Sequence, residues 1–350
     1  MTAIINTALY NNHQKLKAKC VPFAGYNLPI WFSSITHEHE AVRTSAGMFD
    51  ISHMGLFIIK GDSSFKFLQD LSCNDVSKCL SKKMVYSMFL NQQGMILDDV
   101  MHGFYNDQFY LITNGSNQLK LLAWMEKYVP KDVTITHLNS THSFIAVQGP
   151  KATESLENLY NHPFASISRF GINEFSIHHK NCIVFRTGYT GEDGFELMVP
   201  NDIVPKIWQD LLDFGITPCG LGSRDSLRVE KGFPLYGHEL SEFIHPFMTQ
   251  HSWVVKYDTD FIGKEALQKQ QSLPHLVNVG LELEGKNIAR QDYKIEEGGY
   301  VSSGTFIPSI NKSIALAFVP AKYSSIGSKV NVIIRNKSCL ATVVKVPFES

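Results

Sequence analysis

Three consecutive β-strand patterns lie between residues 85 and 113, and only short turns separate them. The turns are Gln92-Gln93-Gly94 and Asn106-Asp107, whose residue types are typical of hairpin connections. Hairpins join antiparallel strands, so this part of the chain predicts an antiparallel sheet. It argues against a fold built from a regular run of βαβ units.

Helical patterns alternate with strands through the first 270 residues. A helix is predicted over 33–47, with Ser33 and Ser34 as candidate N-caps and Gly47 at its end. Further helices are predicted over 63–71, 117–128, 151–160 and 202–214. Further strands are predicted over 56–60, 143–148, 173–178, 182–187 and 195–199. This mixture predicts an α+β fold class.

The character of the chain changes near residue 270. The stretch from Gln268 to Pro274 is polar and ends in proline, which is typical of a linker. Beyond it, strand patterns occur without helical ones, over 277–283, 293–296, 314–319, 329–335 and 339–346. We therefore predict a first region of residues 1–270 and an all-β domain of residues 275–350, a small barrel or sandwich.

Composition narrows the function classes. The chain has 32 basic and 33 acidic side chains, so net charge gives no reason to expect a nucleic-acid or membrane partner. Its six cysteines are dispersed, which predicts reduced thiols. No apolar run approaches the ~18 residues of a membrane span. Residues 1–19 lack the pattern of a signal or transit peptide, so we expect a protein of the bacterial cytoplasm, with a mature mitochondrial matrix form as the alternative.

Common nucleotide and metal motifs are not found in the sequence. There is no P-loop, no strand-anchored dinucleotide fingerprint and no HExxH, so neither a nucleotide nor a metal is expected. The segment His37-Glu38-His39-Glu40 resembles a metal motif. On a helix, however, residues two apart point in different directions and cannot share an ion. We therefore expect a solvated helix face there.

Adjacent acids, Asp98 and Asp99, interrupt an apolar strand pattern. Neighbouring strand residues point to opposite faces, so one acid should face solvent or a rim and the other a core or cavity. A buried carboxylate is costly unless it is paired, and such groups concentrate at functional sites. A structural ion pair is the alternative.

A glycine-rich segment, residues 186–197, has glycines at 188, 191 and 194. That spacing indicates a compact turn that needs positive φ or close backbone approach. Asp193-Gly194 is a hairpin signal. Glu196 follows within an apolar strand, where it could either face water or belong to a site.

Two arginines, Arg224 and Arg228, lie four residues apart on a predicted helix that Ser223 could cap. Side chains at that spacing share a face and suit a carboxylate ligand. Pairing with an internal acid such as Asp225 or Glu230 is the alternative.

Several long motifs, in order, carry a family resemblance. They are PFAGYNLPIWFSSITHEHEAVRTSAGMFDISHMG (22–55), LNQQGMILDD (90–99), VQGPKA (147–152), RTGYTGEDGFEL (186–197), CGLGSRDSLRVEKGFPLYGHEL (219–240), FIGKEAL (261–267) and SGTFIPSINKSIALAFVP (303–320). On these stretches the chain resembles the aminomethyltransferases, the T-proteins of the glycine cleavage system. Two departures are Tyr26 in place of a usual Trp and Met95 in place of a common Gly.

The resemblance implies a fold and a reaction. The fold has two interleaved folate-binding α+β domains around a central cavity and a C-terminal all-β barrel-like domain. The reaction moves the methylene carbon of the aminomethyl group on a dihydrolipoyl carrier, the lipoylated H-protein, to tetrahydrofolate. Its products are 5,10-methylenetetrahydrofolate and ammonia. Tetrahydrofolate is then the co-substrate, and we expect a monomer.

The resemblance also implies residue roles. Asp99 matches the catalytic aspartate, with Asp98 in support. Glu196 matches a substrate-binding glutamate, and its carboxylate would suit the paired N–H donors of a pterin. The other implied folate contacts are Arg224, Tyr189, Met54, Asn114 and Arg290. Trp253 is expected either to line the cavity or to pack in a core.

Other readings are weaker on the same residues. Iron–sulfur assembly factors of this fold carry a KGCYxGQE motif, whereas residues 231–239 read KGFPLYGHE and lack the cysteine. Sarcosine- and dimethylglycine-oxidase-like enzymes carry a flavin domain, for which the chain offers neither a fingerprint nor room. A non-enzymatic binding module is the third alternative.

Overall fold

A computed structural model describes residues 4–307 and 310–348. The α-helices in these ranges are α1 (Tyr10–Lys15), α2 (Ile35–Thr44), α3 (Ser64–Leu71), α4 (Gln118–Glu126), α5 (Ala152–Tyr160), α6 (Val204–Asp213), α7 (Leu221–Lys231) and α8 (Lys264–Gln271). The strands are β1 (Ile5–Asn6), β2 (Lys19–Phe23), β3 (Tyr26–Trp31), β4 (Gly47–Asp50), β5 (Gly55–Lys60), β6 (Met84–Leu90), β7 (Ile96–Tyr105), β8 (Gln108–Thr113), β9 (Thr134–His137), β10 (His142–Gln148), β11 (Ile172–Ile177), β12 (Lys180–Phe185), β13 (Gly194–Pro200), β14 (Thr217–Cys219), β15 (Leu276–Leu283), β16 (Tyr300–Ile307), β17 (Lys312–Pro320), β18 (Lys329–Ile334) and β19 (Lys337–Val344).

The mixed helix and strand content confirms the predicted α+β class. The predicted strand at 293–296 is wrong as a continuous element. It forms two isolated bridges, Lys294 with Tyr300 and Ile295 with Val332. Gly298 and Gly299, both at positive φ, end it immediately afterwards. Helix α8 also occupies the first four residues of the predicted linker.

Contacts divide the chain into two compact units, each built from separate stretches of sequence. The first unit consists of Met1–Gln69, Asp75–Tyr86 and Val100–Arg224. The second consists of Asp70–Asn74, Ser87–Asp99 and Asp225–Ser350.

A six-stranded sheet, in the order β11-β12-β13-β10-β4-β14, lies wholly in the first unit. Its pairings are antiparallel, except that β14 runs parallel to β4. Alternate residues of β13, namely Phe195, Leu197 and Val199, enter a core with Ile207 and Trp208 of α6. Since strand side chains alternate, Glu196 is turned toward the opposite face of the sheet.

A five-stranded sheet has the order β6-β7-β8-β5-β9. In the chain its strands come between β4 and β10, which are neighbours in the six-stranded sheet. The two sheets are therefore interleaved in sequence, as the family resemblance implies. Strand β8 pairs antiparallel with β5 and with β7, and β5 pairs antiparallel with β9.

The second unit contains a sheet in the order β16-β17-β15-β19-β18, all of it antiparallel. Its inward side chains form a core of small and β-branched residues, among them Val279, Ala317 and Val332. The all-β character predicted for the C-terminal region is confirmed.

Arg228 of α7 is almost completely buried in the second unit, at 1% exposure. Its guanidinium donates to Asp225 at 2.8 Å, to Glu239 at 2.8 Å and to the Ser303 hydroxyl at 2.6 Å. Arg228 therefore follows the structural alternative, because its charge is taken up by internal acids.

Glu38 corrects the solvated face predicted for residues 37–40, since both Glu38 and His39 are buried. One Glu38 oxygen accepts from the amides of Phe32 (2.6 Å) and Ser33 (3.0 Å). The other accepts from the amide of Gly220 (2.9 Å) and the hydroxyl of Ser223 (3.1 Å). A buried carboxylate is tolerated here because four donors replace its water. It also lies at the N-terminus of α7, where the helix dipole favours negative charge.

Glu38→Gln should lower the free energy of unfolding by about 2–3 kcal/mol, because an amide NH₂ would face two buried donors and leave them unpaired. Urea unfolding followed by circular dichroism measures this change. Glu40→Gln, on the exposed part of the same helix, is the matched control and should change stability by less than about 0.5 kcal/mol. Equal effects of the two changes would contradict the role given to Glu38.

Candidate functional site

A compact loop connects β12 to β13 and contains Gly188 and Gly191, while Gly194, the third glycine of the sequence motif, begins β13. Gly191 has φ of +82°, a conformation that favours glycine. A Cβ atom on Gly188 would lie 1.8 Å from Oε1 of Gln148, and one on Gly194 would lie 2.7 Å from its Nε2. The glycine spacing is therefore explained by one positive φ, at Gly191, and by two close approaches. Gly188 meets the buried amide of Gln148, and Gly194 meets the Val147 carbonyl, at 2.5 Å from the added Cβ, as well as that amide.

Glu196 in β13 is buried at 8% exposure, so the alternative in which it faces water is wrong. It is paired in register with Ala146 on one side and Phe185 on the other. The Thr187 hydroxyl donates to Glu196 Oε2 at 2.5 Å. Burial raises the pKa of this carboxyl, while the Thr187 hydrogen bond and the charge of Arg224 oppose that rise.

Arg224 extends from the first turn of α7, the turn that Glu38 holds in place. Its guanidinium carbon lies 4.7 Å from the centre of the Tyr189 ring, within cation–π range. Its Nη1 is buried and has no hydrogen-bond partner in the described part of the chain. Burial lowers the pKa of Arg224, and the carboxylate of Glu196 counteracts this. Glu196, Tyr189 and Arg224 thus form one electrostatic cluster within the first unit.

His53 belongs to this cluster, and the sequence reasoning missed it. The side chain is 3% exposed and packs edge-on against Phe23, with 5.3 Å between the ring centres. Its Nδ1 has no hydrogen-bond partner among the described residues. Burial and the positive charge of Arg224 lower its pKa to about 3, so the ring is neutral at physiological pH. The only sequence signal was its position beside Met54 in a quoted motif.

Met54 and Asn114 lie on two loops of the first unit, and both are partly exposed. The Met54 carbonyl accepts from Asn139 at 2.8 Å, which fixes the loop between β4 and β5. Gly115, next to Asn114, approaches the His53 carbonyl so closely that a Cβ would lie 2.4 Å from it. The loop that carries Asn114 therefore packs, through Gly115, against His53 on the loop that carries Met54.

Asp98 and Asp99 belong to the second unit and show the predicted alternation, since Asp98 is fully buried and Asp99 is partly exposed. Arg290, also in the second unit, is exposed and donates to the Gly304 carbonyl at 3.5 Å. Trp253 is 57% exposed, so the core position considered for it is wrong.

The cluster in the first unit has a definite binding chemistry. Glu196 offers a buried acceptor pair, Tyr189 an aromatic face, and Arg224 an Nη1 group without a hydrogen-bond partner among the residues that the structure describes. A planar ligand with adjacent N–H donors on one edge and a carbonyl or anionic acceptor fits this set. Within residues 4–307 and 310–348, no helix is long and apolar enough to cross a membrane.

Comparisons with known proteins give a consistent result. Residues 9–259 match the family model of the GCVT N-terminal domain, and residues 277–349 match that of the glycine cleavage T-protein C-terminal barrel domain. An aminomethyltransferase of Caldanaerobacter subterraneus is 41% identical over 98% of this chain and 95% of its own length. One of Chloroherpeton thalassium is 40% identical over 98% of both chains. The solved structure of the glycine cleavage system aminomethyltransferase T of Bartonella henselae has a TM-score of 0.92 at 29% identity, covering 99% of this chain and 98% of the other.

The stability of the protein should fall as the pH is lowered below 6.5. His53 and His102 are buried with pKa values of about 3 and about 4, whereas both would titrate near 6.5 in the unfolded chain. In this window the unfolded chain binds more protons, so each histidine lowers the free energy of unfolding by up to about 1.4 kcal/mol per pH unit. Urea unfolding between pH 5 and 6.5 measures the slope. His102→Gln should reduce it by close to one proton, and an unchanged slope would show that His102 titrates normally.

Proposed function

Because this chain belongs to the T-protein family of the glycine cleavage system, we propose residue roles for the reaction that this family catalyses. The protein is a tetrahydrofolate-dependent aminomethyltransferase. It transfers the methylene carbon of the aminomethyl group on the dihydrolipoyl H-protein to tetrahydrofolate, and 5,10-methylenetetrahydrofolate and ammonia are released. The matches over residues 9–259 and 277–349 carry this conclusion.

The organisation of the chain follows as a proposal. We assign residues 1–270 to the folate-binding region and residues 275–350 to the barrel domain, and the bounds of the two family matches support this division. The protein works with an H-protein of its system, which we propose to be lipoylated. We further propose a monomer in the cytoplasm of a bacterium, and the bacterial origin of its relatives supports that location.

Glu196 is proposed to bind the pterin edge of tetrahydrofolate. That edge presents two N–H donors side by side, which one carboxylate can accept together. The burial of Glu196 supports this role, since a charge-assisted hydrogen bond is stronger where water is excluded. The ionised carboxylate is the form that accepts both donors.

Arg224 and Tyr189 are proposed to complete the folate contacts, together with Met54, Asn114 and Arg290. The unpartnered Nη1 of Arg224 supports its assignment, because a buried donor without an acceptor is costly unless a ligand supplies one. Tyr189 offers its ring beside the guanidinium, and a flat heterocycle can pack on such a surface. Arg290 has the weakest support, since its side chain is exposed.

Asp99 is proposed as the catalytic carboxylate. Tetrahydrofolate contributes the nitrogen that receives the carbon, and the enzyme must hold that nitrogen in place and move its proton. The partial exposure of Asp99 at its strand position supports this role, and its neighbour Asp98, which is buried, is proposed to support it. A carboxylate can also stabilise positive charge that develops during transfer.

Asp99→Asn should reduce turnover by about two orders of magnitude or more, while tetrahydrofolate binding stays within about tenfold of wild type, because the amide keeps the shape but cannot accept a proton. Ammonia and methylenetetrahydrofolate release from aminomethylated H-protein measures turnover. Asp107→Asn, in the exposed turn between β7 and β8, is the control. Wild-type turnover in Asp99→Asn would remove Asp99 from the chemistry.

Glu196→Gln should weaken tetrahydrofolate binding by at least about tenfold, because an amide cannot accept both pterin donors and turns its NH₂ toward one of them. Calorimetric titration under anaerobic conditions gives the dissociation constant. Glu154→Gln, exposed on α5, should bind as the wild type does. If Glu196→Gln binds tetrahydrofolate with wild-type affinity, the pterin role is wrong.

A further inference from the structure

We propose that Gln148 and Thr187 are positioning residues for tetrahydrofolate, which hold Glu196 and the Tyr189 loop in the geometry that accepts the pterin. Gln148 comes from the VQGPKA motif, to which the reaction itself assigns no role. The inference rests on the folate-binding roles proposed for Glu196 and Tyr189. Neither Gln148 nor Thr187 needs to touch the ligand.

Gln148 ends β10 and is completely buried. Its Nε2 donates to the Thr187 carbonyl at 3.0 Å, and its Oε1 accepts from the Thr190 hydroxyl at 3.0 Å. These two contacts bracket Tyr189 in the sequence. One amide therefore fixes the loop on both sides of the residue whose ring lies beside Arg224.

The close approach of the loop to this amide leaves little freedom. A Cβ on Gly188 would overlap Oε1 of Gln148, so the backbone before Tyr189 lies directly against the side chain. The loop is pinned by two hydrogen bonds and by contact with a side chain that is itself enclosed. Such preorganisation lets a ligand bind without first ordering the segment.

Thr187 links the loop that Gln148 fixes to the carboxylate of Glu196. Its carbonyl accepts from Gln148, and its hydroxyl donates to Glu196 Oε2 at 2.5 Å. Thr187 thus connects the fixed loop to the two carboxylate oxygens of Glu196 that would accept the pterin donors. With Oε2 held, the orientation of the Glu196 carboxylate is set before the ligand arrives.

The hydroxyl of Thr187 also affects the charge of Glu196. The charged group that acts on this carboxylate from a neighbouring element is Arg224 of α7. Tyr189 of the loop acts on Arg224, and His53 stays neutral. Burial raises the pKa of Glu196, and the Thr187 hydrogen bond lowers it. Removal of the hydroxyl leaves burial less opposed, so Glu196 should take up its proton at a higher pH.

Thr187→Val is the decisive change, because valine keeps the shape and removes the donor. Tetrahydrofolate binding should weaken about tenfold or more at pH 7, because the Glu196 carboxylate is then neither held in place nor kept as readily ionised for its charge-assisted hydrogen bonds to the pterin. The acid limb of the binding profile should move to higher pH. Turnover at saturating tetrahydrofolate should stay within about threefold. Thr187→Ser, which restores the hydroxyl, should return affinity and profile to within about threefold of wild type.

Gln148→Met tests the other half of the arrangement, since methionine matches the length of glutamine but forms neither hydrogen bond. We expect about tenfold weaker tetrahydrofolate binding with little change in saturated turnover. Gln69→Leu is the matched control, because Gln69 is also a buried amide that holds backbone, through its bond from the Val76 amide at 3.0 Å. It should lower stability and leave the dissociation constant unchanged.

Calorimetric titration with tetrahydrofolate from pH 5.5 to 8 separates the possible outcomes. If Glu196→Gln weakens binding but Thr187→Val shows wild-type affinity and an unmoved acid limb, the positioning role is wrong and the pterin role stands. If Glu196→Gln binds normally, the proposed pterin role itself fails. Equal losses in Thr187→Val and Thr187→Ser would also overturn the inference, because the hydroxyl would then be irrelevant.

Discussion

The buried carboxylate of Glu38 is the constraint from which the binding cluster is built. It accepts two hydrogen bonds from the chain before α2 and two from the turn that begins α7. The Glu38 side chain therefore fixes the first turn of α7, the helix that carries Arg224. Because the acceptor is charged and shielded from water, these bonds hold the backbone more firmly than a neutral cap would.

In the binding cluster, burial disfavours the charged forms of three side chains. Burial raises the pKa of Glu196 and lowers the pKa values of Arg224 and His53. Glu196 and Arg224 partly compensate each other, because the charge of each opposes the effect of burial on the pKa of the other. The neutral ring of His53 fills space beside Arg224 without adding a second positive charge. A ligand that brings donors to Glu196 and an acceptor to Arg224 offsets the free energy lost when these charges leave water. The burial that the fold imposes therefore also strengthens ligand binding.

Local patterns predicted much of the fold, and their failures have physical causes. Helix α2 was recognisable because Ser34 does cap it, accepting from the His37 amide at 3.2 Å. Strands β2 and β3 were missed because Pro22 and Pro29 interrupt them, and proline is a signal against a central strand. Their sheet has only three strands, with β3 between β1 and β2. Tertiary pairing thus overrode a local preference.

The candidate site shows a sharper limit. Alternation in β13 correctly separates Glu196 from Phe195 and Leu197, but the pattern cannot tell whether the second face of a sheet is covered. In the structure both faces of β13 are buried, so an acid that could have faced water lies inside. His53 gave no usable signal, because a histidine in a loop is ordinary until its neighbours are known. Glu38 was misread for the same reason, since two of its four donors, Gly220 and Ser223, lie far along the chain.

The glycine motif and the VQGPKA motif are far apart in the sequence, but their residues contact one another in the structure. Read alone, glycines at 188, 191 and 194 indicate only a tight turn. Gly188 is required by the amide of Gln148, forty residues earlier, because a Cβ would overlap its Oε1. Gly194 is required by the backbone carbonyl of Val147 together with the same amide. The amide in turn fixes the carbonyl of Thr187, whose hydroxyl orients Glu196. The two motifs are therefore one structural unit. A substitution in either should be judged by the position of the Glu196 carboxylate, because that is where their contacts converge.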